Sequence, residues 1–286
     1  MVTQDEDVRS GMPQERILIT GAAGIVGTMM RERLRRPGRL LRLLDVADPG
    51  DHGRPDEDVL TGSVNDAALM ATACEGIDSV IHLGGISREN SWANILQVNI
   101  DGTHTVLDAA RQAGVRRVIL ASSNHAVGFR RLSEAAEGPD GLPADSTARP
   151  DTYYGVSKAA MEALGSLYHS RFGMDVTVIR IGSCFPDPLP IGKRGLATWL
   201  SPDDAARLFE SALATQEPDY RVVWGVSDNT RRVYSLAEAR RLGYVSHDDA
   251  ETYAGQLADA PDASGPAATY VGGGFCTAAL GEFNQL

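Results

Sequence analysis

Arg16-Ile-Leu-Ile-Thr20, followed at once by Gly21-Ala-Ala-Gly24-Ile-Val-Gly27, decides the fold class. The first five residues are a short apolar run rich in β-branched side chains, which reads as a buried strand. The next seven place glycine at every third position, directly before a helical segment (MMRERLRR) that Pro37-Gly38 stops. A strand, then G-x-x-G-x-x-G, then a helix is the context a dinucleotide pyrophosphate requires. Missing side chains let backbone N–H groups approach the phosphates, and the helix N-terminus adds its positive dipole end.

Working outward, Arg39–Asp45 (RLLRLLD) reads as a second strand that ends in an acid eighteen residues beyond Gly27. An acid there binds the adenosine ribose hydroxyls and repels a 2′-phosphate, so NAD is favoured over NADP. Further strands are read as a short one reaching Gly62, then Ser79–Gly85, Arg117–Ser123 and Asp175–Ser183. Helices are read over Asp66–Gly76, over Trp92–Ala113, and along a segment carrying Tyr154 and Lys158 that runs to Phe172. This alternation predicts an α/β fold, a Rossmann-type doubly wound parallel sheet with a small C-terminal substrate lobe. Residues 1–14 read as a flexible leader, 15–184 as the cofactor domain carrying the catalytic residues, and 185–286 as the lobe and tail packed on the same unit. His82–Gly85 (HLGG) ends a strand where small residues let a cofactor pass. His82 itself reads as a packing residue or backbone contact and not as a metal ligand.

The composition narrows the partners. The 286 residues carry 27 Lys+Arg against 38 Asp+Glu, a net charge of −11, which excludes a nucleic-acid binder needing a basic face. No apolar run approaches the ~18 residues of a membrane span. The acidic N-terminus has neither the basic nor the apolar region of a secretory signal. Three widely spaced cysteines suit free thiols in a reducing compartment and no structural metal. The chain reads as cytoplasmic, with no membrane partner.

Tyr154 and Lys158 lie four residues apart in YGVSK and share a helix face. A phenol is a poor base at its ordinary pKa of about 10. A neighbouring ammonium and the positive charge of an oxidised nicotinamide are expected to lower that value, so the tyrosinate takes a proton from a substrate hydroxyl. Ser122 and Ser123 close the preceding strand, and either can hold the substrate oxygen. Tyr153 lies off the lysine's face and is expected to pack or to line the cleft.

The stretches TGAAGIVG, VIHLGGIS, ILASSNHAVG, PDTYYGVSKAAME, VIRIGSCFP, RGLATWLSPDD and VVWGVSDN together resemble the extended short-chain dehydrogenase/reductase superfamily, over nearly the whole chain from Arg16. In detail they are most similar to its NAD-dependent uronate dehydrogenase branch. The resemblance implies oxidation of C1 of a pyranose uronate, D-glucuronate or D-galacturonate, to an aldarolactone, with NAD as cofactor. It implies Tyr154 as base and Lys158 on the nicotinamide ribose and the tyrosine. Gly128, five residues after Ser123, matches the superfamily's register for the catalytic serine and selects Ser123. Ser87, Ser123, Asn124 and His125 would contact the sugar, Ser183 would sit near the nicotinamide end, and Arg194 would hold the substrate carboxylate through a bidentate fork. Lys193 and Arg130 are the alternative cations. Ile25, Val26, Asp45 and Val46 would line the cofactor, as would Ser63, Val64, His82, Leu83, Gly84, Gly85, Asn99 and Ile181.

Two departures stand out. Ser63-Val64 replaces the acid and small apolar residue that usually contact adenine, and Arg231-Arg232-Val233-Tyr234 replaces an aromatic stretch. The resemblance further implies a homo-oligomer, for which the tail Gly272–Leu286 would suit an interface. A nucleotide-sugar epimerase or dehydratase of the same superfamily would share the glycine loop, Asp45, Tyr154 and Lys158. About 100 residues after Ser183 are few for a nucleotide-gripping lobe. A non-enzymatic NAD sensor is disfavoured because both the base and the lysine are present.

Overall fold

Leu18 faces one side of a sheet while its neighbours Ile17 and Ile19 face the other, and all three are fully buried. Side chains alternate along a strand, so burial on both faces demands an apolar layer on each side. The computed structural model describes residues 15–50, 52–138 and 140–283; the leader 1–14 lies outside the described residues. Among the described residues, seven parallel strands form one sheet: β1 (Glu15–Thr20), β2 (Arg39–Asp45), β3 (Glu57–Thr61), β4 (Ser79–His82), β5 (Arg117–Ser123), β6 (Asp175–Ile181) and β7 (Tyr220–Gly225). Their order is β3-β2-β1-β4-β5-β6-β7. The order reverses between β1 and β4, and that switch point opens a crevice at the carboxyl ends of the strands.

Helices cover both faces. On the face of Ile17 and Ile19, α1 (Ile25–Arg33) contributes Met30, and α5 (Pro202–Leu213) contributes Leu208 and Phe209. On the face of Leu18, α2 (Ala67–Cys74) contributes Met70, α3 (Gly102–Gln112) Val106 and Leu107, and α4 (Tyr153–Phe172) Met161 and Tyr168. Local chemistry sets the ends of α4. The Thr152 hydroxyl caps its start by accepting the Gly155 N–H at 3.1 Å, and Gly173, left-handed at φ 70°, ends it.

Three expected elements differ from the structure. The helix read over Trp92–Ala113 is a single helical turn (Trp92–Asn94), a π-helical stretch (Ile95–Asp101) and then α3. The widened stretch carries the buried Asn99. The strand read over Asp175–Ser183 ends at Ile181, because Gly182 donates sideways to Gly225 O at 3.0 Å and Ser183–Cys184 pairs instead with Trp199–Leu200. The segment 185–286 also supplies β7 of the main sheet and the helix α5, which packs on α1 and β5. Leu196, Trp199, Ala250 and Leu257 form a small separate cluster, and the chain then returns to the crevice.

Candidate active site

A cavity of about 1020 Å³ runs along the carboxyl ends of β1, β2, β4, β5 and β6, from the glycine loop to Arg194. At one end Gly21 is left-handed at φ 73°, and a Cβ there would lie 2.6 Å from the backbone nitrogen of Gly84. A Cβ at Gly27 would overlap the Gly21 carbonyl oxygen, so only glycine lets α1 pack this close to β1. Gly24 begins α1 without a side-chain cap. The helix dipole and first N–H groups are therefore left facing the cavity. Asp45 at the end of β2 accepts from Ala23 N at 2.9 Å and from Ala47 N at 3.1 Å, which ties the acid to the glycine loop. Ile25 and Val46 are 57% and 71% exposed on the cavity wall, an apolar flank suited to a flat ring. A bare helix start, an anchored carboxylate and open apolar flanks together fit a dinucleotide.

The cavity brings together the sequence-derived residues Gly21, Gly24, Ile25, Val26, Gly27, Asp45, Val46, Ser63, Val64, Leu83, Gly84, Gly85 and Ile181 on the cofactor side. Ser87, Ser123, Asn124, His125, Tyr154, Lys158, Ser183 and Arg194 line it as well. His82 and Asn99 do not. The His82 ring is fully buried between the hydroxyls of Thr20 (2.7 Å) and Thr103 (3.1 Å), and burial, with some help from Lys158, drops its pKa to about 3. Asn99 points at the chain itself. Its amide oxygen accepts Ile86 N at 2.7 Å, and its nitrogen donates to Ile86 O and to Ser157 Oγ, both at 2.9 Å. It braces the loop that presents Ser87 against α4.

At the centre, β5 delivers Ser123 and α4 delivers Tyr154 and Lys158. The Lys158 ammonium donates to Ala121 O at 2.8 Å and lies 5.5 Å from the centre of the Tyr154 ring. Burial dominates both pKa values. It pushes Tyr154 up to about 12, with the Asp151 carboxylate acting the same way and a hydrogen bond to the Ser123 hydroxyl opposing. It pulls Lys158 down to about 8, against the pull of Glu162. Lowering the phenol therefore takes the lysine and the positive charge of a bound nicotinamide together, working against the desolvation of a buried phenolate. Ser122 donates to Glu162 Oε1 at 2.6 Å, which leaves Ser123 as the serine paired with Tyr154. Tyr153 turns away and packs edge-on against Trp92, with ring centroids 5.4 Å apart.

At the far end, Arg194 lines the cavity and donates to Val271 O at 2.5 Å. Lys193 instead pairs with the exposed Asp262, and Arg130 pairs with Glu134. Several wall residues escaped the sequence reading: Arg88, and Gly272, Gly274 and Phe275 of the returning chain. Phe275 stacks on His125 with centroids 3.9 Å apart. The run GGGF was a visible signal, since clustered glycines mark close backbone approach, but its contact partner is 150 residues away. In the departing segment the two arginines find acidic partners within the chain. Arg231 pairs with Glu251, Arg232 with Asp140 and Asp228, and Tyr234 is buried against Trp224 at 4.4 Å.

The sequence profile of the NAD dependent epimerase/dehydratase family matches residues 17–186. The chain belongs to this family. Among its members, it is 42% identical to a uronate dehydrogenase of Pseudomonas putida over 95% of this chain and 98% of that one. It is 37% identical to an NAD-dependent glucose-6-phosphate dehydrogenase of Haloferax volcanii over 83% of this chain and 95% of that one. A crystal structure of a uronate dehydrogenase mutant from Agrobacterium tumefaciens, complexed with NAD, superposes with a TM-score of 0.85 at 35% identity, covering 93% of this chain and 98% of that one. In this chain the glycine loop and the helix carrying Tyr154 and Lys158 line one crevice. No helix of the described residues is long and apolar enough to cross a membrane.

Proposed function

We propose that the chain is an NAD-dependent uronate dehydrogenase that oxidises the C1 hydroxyl of D-glucuronate or D-galacturonate to the aldarolactone. The observation that carries this reading is that one cavity holds Ser123 and Tyr154 at its centre and the guanidinium of Arg194 at its end. A hexuronate carries a hemiacetal hydroxyl on C1 and, on C5 beyond the ring oxygen, a carboxylate, and this wall offers a proton acceptor and a planar cation for those two groups. NAD, when bound, supplies the hydride acceptor and a positive charge beside the phenol. The chain's own residues do the rest. The Ser123 hydroxyl holds the C1 oxygen, Tyr154 takes its proton as the C1–H bond breaks, and Lys158 stabilises the phenolate. Ser87, Asn124, His125 and Ser183 surround the sugar, and Phe275, stacked on His125, lines the same wall.

The 185–286 segment serves as the substrate lobe. The tail also supports a homo-oligomer: exposed Leu280 and Phe283 flank Gly281, which lies against Tyr153, and light scattering tests this. Free cysteines support a cytoplasmic setting. The deciding assay is NADH absorbance with free glucuronate, galacturonate, glucose 6-phosphate and a nucleotide-linked glucuronate. Turnover of either free uronate well above the others is the expected result. Turnover of the nucleotide sugar alone would replace this reading with the epimerase/dehydratase one.

A further inference from the structure

Beside Tyr154, His125 is paired with Asp151, a carboxylate to which the chemistry above gives no part. The Nδ1 of His125 is 2.7 Å from Oδ2 of Asp151, whose side chain is wholly buried. The other carboxylate oxygen, Oδ1, accepts the Thr152 hydroxyl at 2.9 Å, and Thr152 is the cap of α4. A carboxylate only accepts, so the hydrogen between Asp151 and His125 resides on Nδ1. The surroundings lock the ring in place. Phe275 stacks on it at 3.9 Å, the Tyr154 ring meets it edge-on at 5.7 Å, and its backbone N–H donates to Ser123 Oγ at 3.3 Å. Asp151 is equally constrained, because a Cβ on either Gly128 or Gly272 would overlap its Oδ2. The imidazole therefore has one fixed orientation on the cavity wall, with Nε2 as its remaining polar atom.

We propose that Asp151 is a positioning residue that holds His125 with its hydrogen on Nδ1, so that Nε2 accepts a hydrogen bond from a sugar hydroxyl. The inference rests on the uronate reading for the identity of the sugar, but not for the tautomer. It also gives the C-terminal segment a part in recognition, since Phe275 and Gly272 hold the two members of the pair. Neutral histidine in water favours hydrogen on Nε2, so the carboxylate reverses the ring's ordinary preference and converts it from donor to acceptor. A hydroxyl at that place must then donate, which ties substrate orientation to a hydrogen bond made 26 residues away in sequence.

The test uses Asp151→Asn and His125→Gln, singly and together. An asparagine amide can donate to Nδ1 and so releases the tautomer. Nitrogen-15 NMR of histidine-labelled protein, with the His125 signal identified by its loss in His125→Gln, should show hydrogen on Nδ1 in the wild type and on Nε2 in Asp151→Asn. For the uronate, kcat/KM should fall on the order of 10- to 100-fold in Asp151→Asn, the size of one lost buried hydrogen bond, while NAD affinity holds. Adding Asp151→Asn to His125→Gln should cost nothing further. Wild-type hydrogen on Nε2, or an equal loss on both backgrounds, would overturn the proposal, the latter by showing that Asp151 acts only as a helix brace. If no uronate is turned over, the activity reading fails while the NMR result still decides the tautomer.

Discussion

The buried carboxylate of Glu89 accepts the backbone N–H of Tyr154 at 2.9 Å. Its other oxygen accepts the N–H of Gly281 at 2.8 Å. One side chain therefore joins the first turn of the catalytic helix to the returning C-terminal chain, and its negative charge sits favourably at the helix N-terminus. Glu89→Ala should leave two donors without a partner and lower stability by about 2 kcal/mol, with kcat falling as Tyr154 loses its anchor. Glu89→Gln keeps one acceptor and should cost less. Urea unfolding alongside kcat reads both effects; an unchanged midpoint in Glu89→Ala would show that the bridge is inert.

Tyr154→Phe removes the proton acceptor while keeping the ring that packs against His125. Turnover should drop roughly 10²- to 10⁴-fold, with NAD affinity within a factor of two or so of wild type. Steady-state rates and NAD titration by fluorescence measure this, and a wild-type rate would take Tyr154 out of the mechanism.

Arg194→Ala should act mainly on KM for the uronate, with a loss of about 2–5 kcal/mol in kcat/KM if the carboxylate pair is desolvated. Arg194 also holds Val271 O, so some of the loss comes from the loosened returning chain. Arg194→Lys keeps the charge but not the fork and should fall in between. An unaltered KM in Arg194→Ala would move the carboxylate to Arg88, another cation on the same wall.

Asp45→Ala removes both the carboxylate and its bonds to Ala23 and Ala47. NAD affinity should weaken by about tenfold, and discrimination against NADP should shrink. Competing titrations of the two dinucleotides check this; an unchanged preference would mean that another group excludes the 2′-phosphate.

Acid should destabilise the fold partly through His82. Its pKa falls from the ordinary 6.5 to about 3 on burial. Below pH 6.5 the unfolded chain binds a proton that the folded chain refuses, so stability drops as pH falls through that window and levels off near 3. At a limiting slope of about 1.4 kcal/mol per pH unit, reached only below the unfolded pKa, the loss between pH 6.5 and 4.5 is about 2 kcal/mol. Urea unfolding at the two values should show it, and His82→Gln, whatever its absolute stability, should have the shallower pH slope.

How far the site was legible follows from where its signals lie. The glycine loop, Asp45 and the Tyr154–Lys158 pair are local patterns, because a phosphate cradle and a helix face are built from residues a few positions apart. The resemblance put Asn99 and His82 beside the cofactor, while the His82 side chain also read as packing; in the structure both side chains bond within the chain and neither lines the cavity. A polar side chain beside a small-residue strand end can turn inward, and only the positions of Thr20, Thr103, Ile86 and Ser157 decide that it does.

From the amino-acid sequence alone came a parallel doubly wound sheet, a glycine loop between strand and helix, and a tyrosine and a lysine sharing one helix face. Hydrophobic periodicity, glycine spacing and i, i+4 geometry act over one or two turns of chain. Only the tertiary structure decided that the last segment lines the site and not solvent, that Phe275 and Asp151 clamp His125, and that burial holds Tyr154 near 12. Those properties depend on which distant surfaces exclude water from one another, and desolvation is a property of the assembled fold that no short stretch of sequence carries.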